Sequence, residues 1–334
     1  VSVSLETPSP ARRPLSAPGD DDPSPGARGL DRVLTLVAAP GSAALTAERV
    51  DAVRRALDHL GAEGDRPRWL APGEACDLAF AGLAPEQAEG AARAALGDAP
   101  VDVLAQIAGP DRRKALLVAD MDSTIVTSET LDDLAAHAGL RDAIAAITTR
   151  AMNGELDFAE ALRERVRRLA GLPEAALAET WADTRLTPGA RALVATMKAH
   201  GARCLLVSGG FRYFTGRVVD RCGFDAHVSN DVVIADGRLT GAVVEPVRDR
   251  RAKLETLVAE AGRLRLPLAR TLAVGDGAND VPMLQAAGLG VAFHPRPAVA
   301  AEVRAAVRHG DLTALLYAQG YARDAFVEPE DPAP

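Results

Sequence analysis

Ala115-Leu116-Leu117-Val118-Ala119 runs directly into Asp120-Met121-Asp122-Ser123-Thr124. Five apolar residues without a polar break read as a strand buried on both faces. Two carboxylates one residue apart at the end of such a strand crowd negative charge at a sheet edge. That placement is costly without a cation, and carboxylate oxygens are the ligands Mg²⁺ prefers. Asp, Ser and Thr are also ordinary N-caps, so the stretch alone reads equally as the start of a helix.

Downstream, three more apolar runs have strand character: Cys204 to Val207, Thr271 to Val274 and Leu289 to Phe293. Helical patterns separate them, which predicts an α/β core with a doubly wound parallel sheet. Ligands of such sheets sit beyond the carboxyl ends of the strands. Two of these runs end in polar residues. Ser208-Gly209-Gly210 follows the first, and a hydroxyl with glycine amides can hold a phosphate oxygen or simply turn the chain. Gly275-Asp276-Gly277-Ala278-Asn279-Asp280 follows the second, and reads as a cation site or a surface turn. Before it, Asp249 to Lys253 opens a helix, where Lys253 either neutralises a phosphate or is a solvated charge.

A helical insertion occupies about Ser128 to Arg185. Inside it Asp157 precedes Glu160 by three residues, a capping-box-like start, and Phe158, Leu162 and Leu169 share a face. Thr187-Pro188-Gly189 offers a cap and a first-turn proline for the next helix. Val232 to Ala235 and Leu239 to Val243 flank Asp236-Gly237, a tight hairpin signal.

Upstream, strand-like Leu34 to Ala38, helical Thr46 to Leu60, strand-like stretches at Arg68 to Leu70 and Cys76 to Phe80, helical Pro85 to Leu96 and strand-like Val101 to Ala105 spell β-α-β-β-α-β. That is the order of an α+β ferredoxin-like domain. Pro110-Asp111 marks a boundary. Residues 1–30 are rich in Pro, Ser, Gly, Asp and Arg, lack a secretory apolar segment, and read as a disordered arm. The expected division is therefore an arm at 1–30, a ferredoxin-like domain at 31–108, a catalytic core at 112–320 with a helical cap at 128–185, and a flexible tail at 321–334.

The 334 residues are 48% hydrophobic and 25% charged, enough for a packed core of two domains. A net charge of −8 with 4% aromatic residues argues against nucleic-acid binding. Cys76, Cys204 and Cys222 show no C-x-x-C spacing and suit a reducing, cytoplasmic setting. No apolar run approaches the ~18 residues of a membrane span, so no membrane role is expected.

Taken together, these elements fit one reaction. A carboxylate attacks phosphorus, Mg²⁺ removes the repulsion between anions, a second carboxyl group protonates the leaving alkoxide, and the hydroxyl, amides and Lys stabilise the equatorial oxygens. Asp120-x-Asp122-Ser123-Thr124, Ser208-Gly209-Gly210, Lys253 and Gly275 to Asp280 resemble the four motifs of haloacid dehalogenase (HAD)-type phosphatases. Within the insertion, Thr127-Ser128-Glu129-Thr130, Ala151 to Phe158 and Leu162 to Val166 are similar to the phosphoserine phosphatases of that family. The resemblance covers about Lys114 to Tyr317 and implies a Rossmann-like core. It implies Asp120 as nucleophile, Asp122 as general acid and base, and Mg²⁺ held by Asp120, the Asp122 carbonyl and Asp276, with Asp280 behind them. Phosphate would meet Ser208, Gly209, Gly210, Lys253 and Asn279. Glu129 would take the substrate ammonium and Arg165 its carboxylate, with Met152 and Phe158 shielding the site. Read only as residues, Met152 and Phe158 are equally cap-helix core, and Arg165 equally one of several surface arginines.

The first domain resembles the small-molecule-binding ACT-type modules often joined to this enzyme, which implies an amino-acid effector and homodimer contacts. The expected function is Mg²⁺-dependent hydrolysis of phosphoserine, completing serine synthesis. Alternatives are a phosphatase or phosphotransferase of the same family acting on another amino-alcohol phosphate, and a non-catalytic amino-acid sensor.

Overall fold

The computed structural model describes residues 29–152 and 156–329, residues 151 and 152 by backbone alone. The expected arm through residue 28, the Met152 side chain and residues 330–334 lie outside the described residues. The first unit contains β1 (Arg32–Ala38), α1 (Ala47–His59), β2 (Glu63–Gly64), β3 (Arg68–Ala71), β4 (Ala75–Ala81), α2 (Pro85–Leu96) and β5 (Val101–Ile107). Its antiparallel sheet has the order β2-β4-β1-β5, with β3 also on β4. Pro67, unable to donate to a ladder, separates β2 from β3. Alternation along the strands sends Leu34, Leu36, Leu78 and Phe80 into a core with Val50, Val53 and Leu57 of α1. Thr46 caps α1 by accepting the Arg49 N–H at 3.3 Å.

The second unit starts with β6 (Leu116–Ala119). The insertion follows as α3 (Thr130–His137), α4 (Arg141–Met152), α5 (Phe158–Arg168) and α6 (Ala175–Asp183). The chain continues as α7 (Ala190–Ala199), β7 (Arg203–Phe211), α8 (Arg212–Cys222), β8 (Ala226–Asn230), β9 (Val232–Ala235), β10 (Arg238–Val243), α9 (Arg251–Arg263) and β11 (Thr271–Gly275). It closes with α10 (Val281–Ala286), β12 (Leu289–Phe293), α11 (Pro297–Glu302), β13 (Ala305–Val307) and α12 (Ala314–Ala318). Six strands form one sheet in the order β13-β12-β11-β6-β7-β8, every pair parallel. Strand β6 lies at its centre. Leu116 and Val118 join the core with α9, α10 and α11, while Leu117 and Ala119 join the core with α7, α8 and α12. The chain builds outward from β6 through β7 and β8, then crosses to β11 on the other side. The switch point between β6 and β11 is where such sheets open a crevice.

Several local expectations change. Strand β7 continues through Ser208-Gly209-Gly210 to Phe211, with a register shift against β8 after Val207. Helix α7 begins at Ala190 behind Gly189 at φ +81°, so Pro188 stands before the helix rather than in its first turn. A side chain at Gly189 would lie 2.7 Å from the Thr313 nitrogen, which explains the glycine. Asp157 is a simple N-cap, accepting the Ala159 N–H at 2.9 Å. Strands β8 and β13 were not foreseen; β8 is mostly half-buried and β13 has three residues. The expected flexible tail is corrected for residues 321–329: Tyr321 is buried, and the Val327 N–H donates to Thr196 Oγ1 at 2.8 Å. The turn at Asp236 and Gly237 has both residues at positive φ (50° and 68°), as the tight hairpin requires.

The first unit docks through the sheet face opposite its helices. Arg112 grips Asp77 with two bonds of 2.8 and 2.7 Å, contacts Thr35, and donates to the Ala318 carbonyl of α12 at 2.9 Å. Asp102 accepts backbone N–H groups from Arg308, His309 and Gly310 after β13. Buried charges at this seam are thus each hydrogen-bonded, which is what burial requires. Among the described residues no helix is long and apolar enough to cross a membrane.

Candidate active site

Because β11, β6 and β7 are neighbours and parallel, their carboxyl ends deliver Asp276, Asp120 and Ser208-Gly209-Gly210 to one place. Asp120 follows β6 directly and stays pinned to β11 through its N–H to the Val274 carbonyl at 2.9 Å. Ser123 then takes φ +53°, a reversal that lets Asp120 and Asp122 both face the crevice. Carboxylate oxygens of Asp120, Asp276 and Asp280 all lie within 4.8 Å of one another. Lys253, arriving from the first turn of α9, bridges two of them, at 2.7 Å from Asp120 and 2.5 Å from Asp280. Asp280 also accepts the Gly277 N–H at 3.0 Å.

Glycine at two positions lets the loop close this tightly. A Cβ on Gly275 would lie 2.3 Å from Asp280 Cγ, and one on Gly277 would lie 2.3 Å from Asn279 Oδ1. Asn279 thus folds back over Gly277 beside the acidic group.

Electrostatics follow from crowding. Burial, then the Asp280 charge, push the Asp120 carboxyl well above the usual range, against the pull of Lys253. Burial and Asp280 raise Asp276 to about 6, with Thr124 Oγ1 at 3.3 Å opposing the shift. Burial alone would lower Lys253, yet the charges of Asp120 and Asp280 hold its ammonium above the ordinary value. Three carboxylates against one ammonium leave an excess of negative charge. The donor set is all oxygen, which fits a hard divalent cation.

Asp122 is held differently. Its Oδ1 accepts both the N–H of Thr130 at 2.9 Å and the Thr130 hydroxyl at 2.7 Å, and its Oδ2 accepts the Ser208 hydroxyl at 3.1 Å. Burial still raises its carboxyl above the usual range. The Gly210 N–H donates to Ser208 Oγ at 2.8 Å, so hydroxyl and amide stand together beside the acid.

The insertion covers this group from above. Glu129 accepts the Ser123 hydroxyl at 2.8 Å, and burial followed by the Asp122 charge raises its carboxyl to about 7. Arg165 on α5 donates to the Ala161 carbonyl at 3.3 Å and to Thr148 Oγ1 at 3.4 Å. Burial lowers its guanidinium, while Asp132, Glu129 and Asp122 hold it up. Phe158 packs so closely on Gly209 that a Cβ there would lie 2.8 Å from the ring. The charges of Asp132, Glu129 and Asp122 thus all act on the Arg165 guanidinium.

Four contributors carried no assigned role in the sequence. Thr130 clamps Asp122; a hydroxyl at a helix start, where backbone donors are free, was the available signal. Thr124 supports Asp276. Asp132 is the largest opposite charge acting on Arg165. Asn230, buried at the end of β8, donates to the Gly209 carbonyl, and nothing local in the sequence marks it.

The family model for haloacid dehalogenase-like hydrolases matches residues 117–285. A phosphoserine phosphatase of Streptomyces coelicolor is 40% identical over 314 residues, covering 93% of this chain and 75% of its own length. The chain belongs to the phosphoserine phosphatases of the haloacid dehalogenase-like hydrolase family. A HAD family hydrolase of Salmonella enterica serovar Typhi superposes with a TM-score of 0.73 at 29% identity, covering 88% of this chain and 99% of its own. A phosphoserine phosphatase solved as a phospho-aspartyl intermediate analogue superposes with a TM-score of 0.58 at 35% identity, covering 61% of this chain and 98% of its own. The last match takes in only the length of the HAD phosphatase unit; the Salmonella hydrolase also spans most of the rest.

Proposed function

We propose that the chain hydrolyses O-phospho-L-serine to L-serine and phosphate through an aspartyl phosphate on Asp120. The reading is supported by Glu129, bonded to Ser123 beside Asp122, and by Arg165, on which the charges of Asp132, Glu129 and Asp122 act, since a zwitterionic amino acid needs one partner of each sign. Asp120 attacks phosphorus, and Asp122, whose raised carboxyl suits a proton donor, protonates the departing serine oxygen. In the second step Asp122 takes a proton from water as the water attacks the acyl phosphate. Ser208, the Gly210 amide and Lys253 hold the equatorial oxygens, with Asn279 beside them. Mg²⁺ would be held by the Asp120 and Asp276 carboxylates and the Asp122 carbonyl, with Asp280 already engaged by Lys253. When bound, it supplies the charge that lets an anionic nucleophile approach a phosphate.

Hydrolysis of a panel of phosphorylated metabolites tests the reading. Phosphoserine is expected to exceed phosphoethanolamine, which lacks the carboxylate, in kcat/KM by at least ~10²-fold, the worth of one lost charged partner. Comparable rates across the panel would remove phosphoserine as the substrate. Transfer to added alcohols faster than to water would favour the phosphotransferase alternative.

Arg165→Ala is expected to lower kcat/KM for phosphoserine by about 10²–10³-fold, from losing one side of a desolvated charge pair. An aryl phosphate without a carboxylate should change little. Equal losses on both would show that Arg165 does not read the carboxylate.

Glu129 sets an acidic limb. A carboxyl raised to about 7 is protonated below that pH and cannot pair with an ammonium. Bound Mg²⁺ draws the transition lower, since positive charge nearby favours the carboxylate. The kcat/KM for phosphoserine should therefore rise with pH up to neutrality, and Glu129→Gln should flatten that limb while aryl phosphate hydrolysis keeps its profile. An unchanged limb in Glu129→Gln would assign it to another group.

We further assign residues 31–108 to an ACT-like module, 112–320 to the catalytic unit and 128–185 to its cap. The strand order of the module supports an amino-acid effector and contacts between two copies, and three cysteines without C-x-x-C spacing suit a cytoplasmic setting.

A further inference from the structure

The β9–β10 hairpin leaves the core between β8 and α9, yet its partners are on the cap. Gly171 donates its N–H to the Leu239 carbonyl at 2.8 Å, Leu239 returns one to Leu172 at 2.9 Å, and Glu174 donates to Gly237 at 2.9 Å. Pro173 and Arg238 are antiparallel bridge partners. The Arg238 guanidinium donates to the Gly171 carbonyl at 2.7 Å, and Arg163 of α5 pairs with Glu245 at 2.8 Å. Gly241 lets the two backbones meet, because a Cβ there would lie 2.8 Å from Ala170 Cβ. Leu239 and Val232 share their core with Leu162, Val166 and Leu169 of the cap.

The base of the hairpin reaches the phosphate site. Asn230 ends β8 one residue before β9 begins. Its side-chain amide donates to the Gly209 carbonyl at 2.9 Å and to the Arg248 carbonyl at 3.1 Å, and it accepts the Arg248 N–H at 2.6 Å. In a trans peptide the C=O and N–H point in opposite directions. Holding the Gly209 carbonyl outward therefore aims the Gly210 N–H the other way, onto Ser208 Oγ. The second pair of bonds fixes the segment leading to Lys253.

We infer that the β9–β10 hairpin is a working part of the cap, and that Asn230 is a positioning residue transmitting the hairpin's place to the Gly209–Gly210 peptide. The inference rests on the phosphate-binding role proposed above for that peptide. The cap thereby touches the peptide twice, directly through Phe158 and indirectly through the hairpin and Asn230. Closure over substrate and orientation of a phosphate-binding amide become one event.

Two measurements test this. Pro173→Cys with Arg238→Cys joins cap and hairpin by a disulfide, at a bridge pair whose Cα spacing suits one. Turnover of the oxidised protein is expected to stay within about twofold of the same protein reduced, because both pieces move together. Any phosphate ester the enzyme turns over serves, so the result does not depend on phosphoserine being the substrate. A large loss on oxidation, restored by reductant, would mean that the cap swings away from the hairpin and would overturn the inference. Failure of the two thiols to join would contradict the pairing itself. Asn230→Asp keeps the acceptor for the Arg248 N–H and removes the donor to the Gly209 and Arg248 carbonyls. The inhibition constant for inorganic phosphate should rise about tenfold, the worth of one hydrogen bond to a charged group. That for L-serine, held by Glu129 and Arg165, should not move. Equal weakening of both products, or of neither, would reduce Asn230 to a structural role.

Discussion

Asp120→Asn is expected to lower kcat by at least about 10⁴-fold, the scale of loss when a covalent nucleophile is removed. The amide is isosteric but cannot attack phosphorus or carry a phosphoryl group. The fold should survive, and the reason is electrostatic. In the native protein Asp120 is buried beside Asp280 and Asp276, and these charges oppose its ionisation. The amide takes the ionisable group at 120 out of this cluster, while Lys253 keeps its 2.5 Å contact with Asp280. The melting temperature without metal should therefore be unchanged or higher. After rapid quenching in acid, labelled phosphoserine should leave label on the wild-type chain and none on Asp120→Asn. Native-like turnover by the variant, or label retained on it, would end the assignment of Asp120 as nucleophile.

The convergence was legible because its parts are local. An unbroken apolar run, Ala115 to Ala119, can only be a buried strand or helix segment, and its abrupt end in Asp120 fixes where the charge must lie. Once Cys204 to Val207 and Thr271 to Val274 are read the same way, parallel pairing brings their ends together. The residues that hold the reacting groups were harder to see. Thr130 reaches Asp122 only because the cap folds back over the core, and Asn230 reaches Gly209 across 21 residues. The edge strands β8 and β13 escaped notice because half-buried or three-residue strands carry little hydrophobic pattern. The tail misled for a related reason: Tyr321 and Phe326 are too widely spaced to show a helix or strand period, and the burial of Tyr321 depends on a surface built elsewhere in the chain. Sequence reports what each segment can bury, and is silent on which distant surface receives it.

Chelation of divalent metal should lower turnover at least about 10³-fold, and Mg²⁺ should restore it, since several kcal/mol of transition-state charge stabilisation come from such an ion. A second readout needs no turnover. The oxygens of Asp120, Asp276 and Asp280 stand within 4.8 Å of one another, with Lys253 bridging Asp120 and Asp280. An ion bound there favours the folded state, by about 2.7 kcal/mol at 100 times its dissociation constant. For a protein of this size that corresponds to a melting temperature higher by roughly 4 °C. The pH dependence has a definite sign. Asp276 titrates near 6 when folded and lower when unfolded, so the metal-free protein loses this contribution to stability as pH rises toward 6. Over the same range protons cease to compete for the carboxylate, and metal binding strengthens. The gap in melting temperature with and without Mg²⁺ should therefore widen from pH 5 to pH 7. Asp276→Asn should close most of that gap while leaving the metal-free melting temperature equal or higher. A gap that is independent of pH, or that persists in Asp276→Asn, would place the ion somewhere other than among these carboxylates.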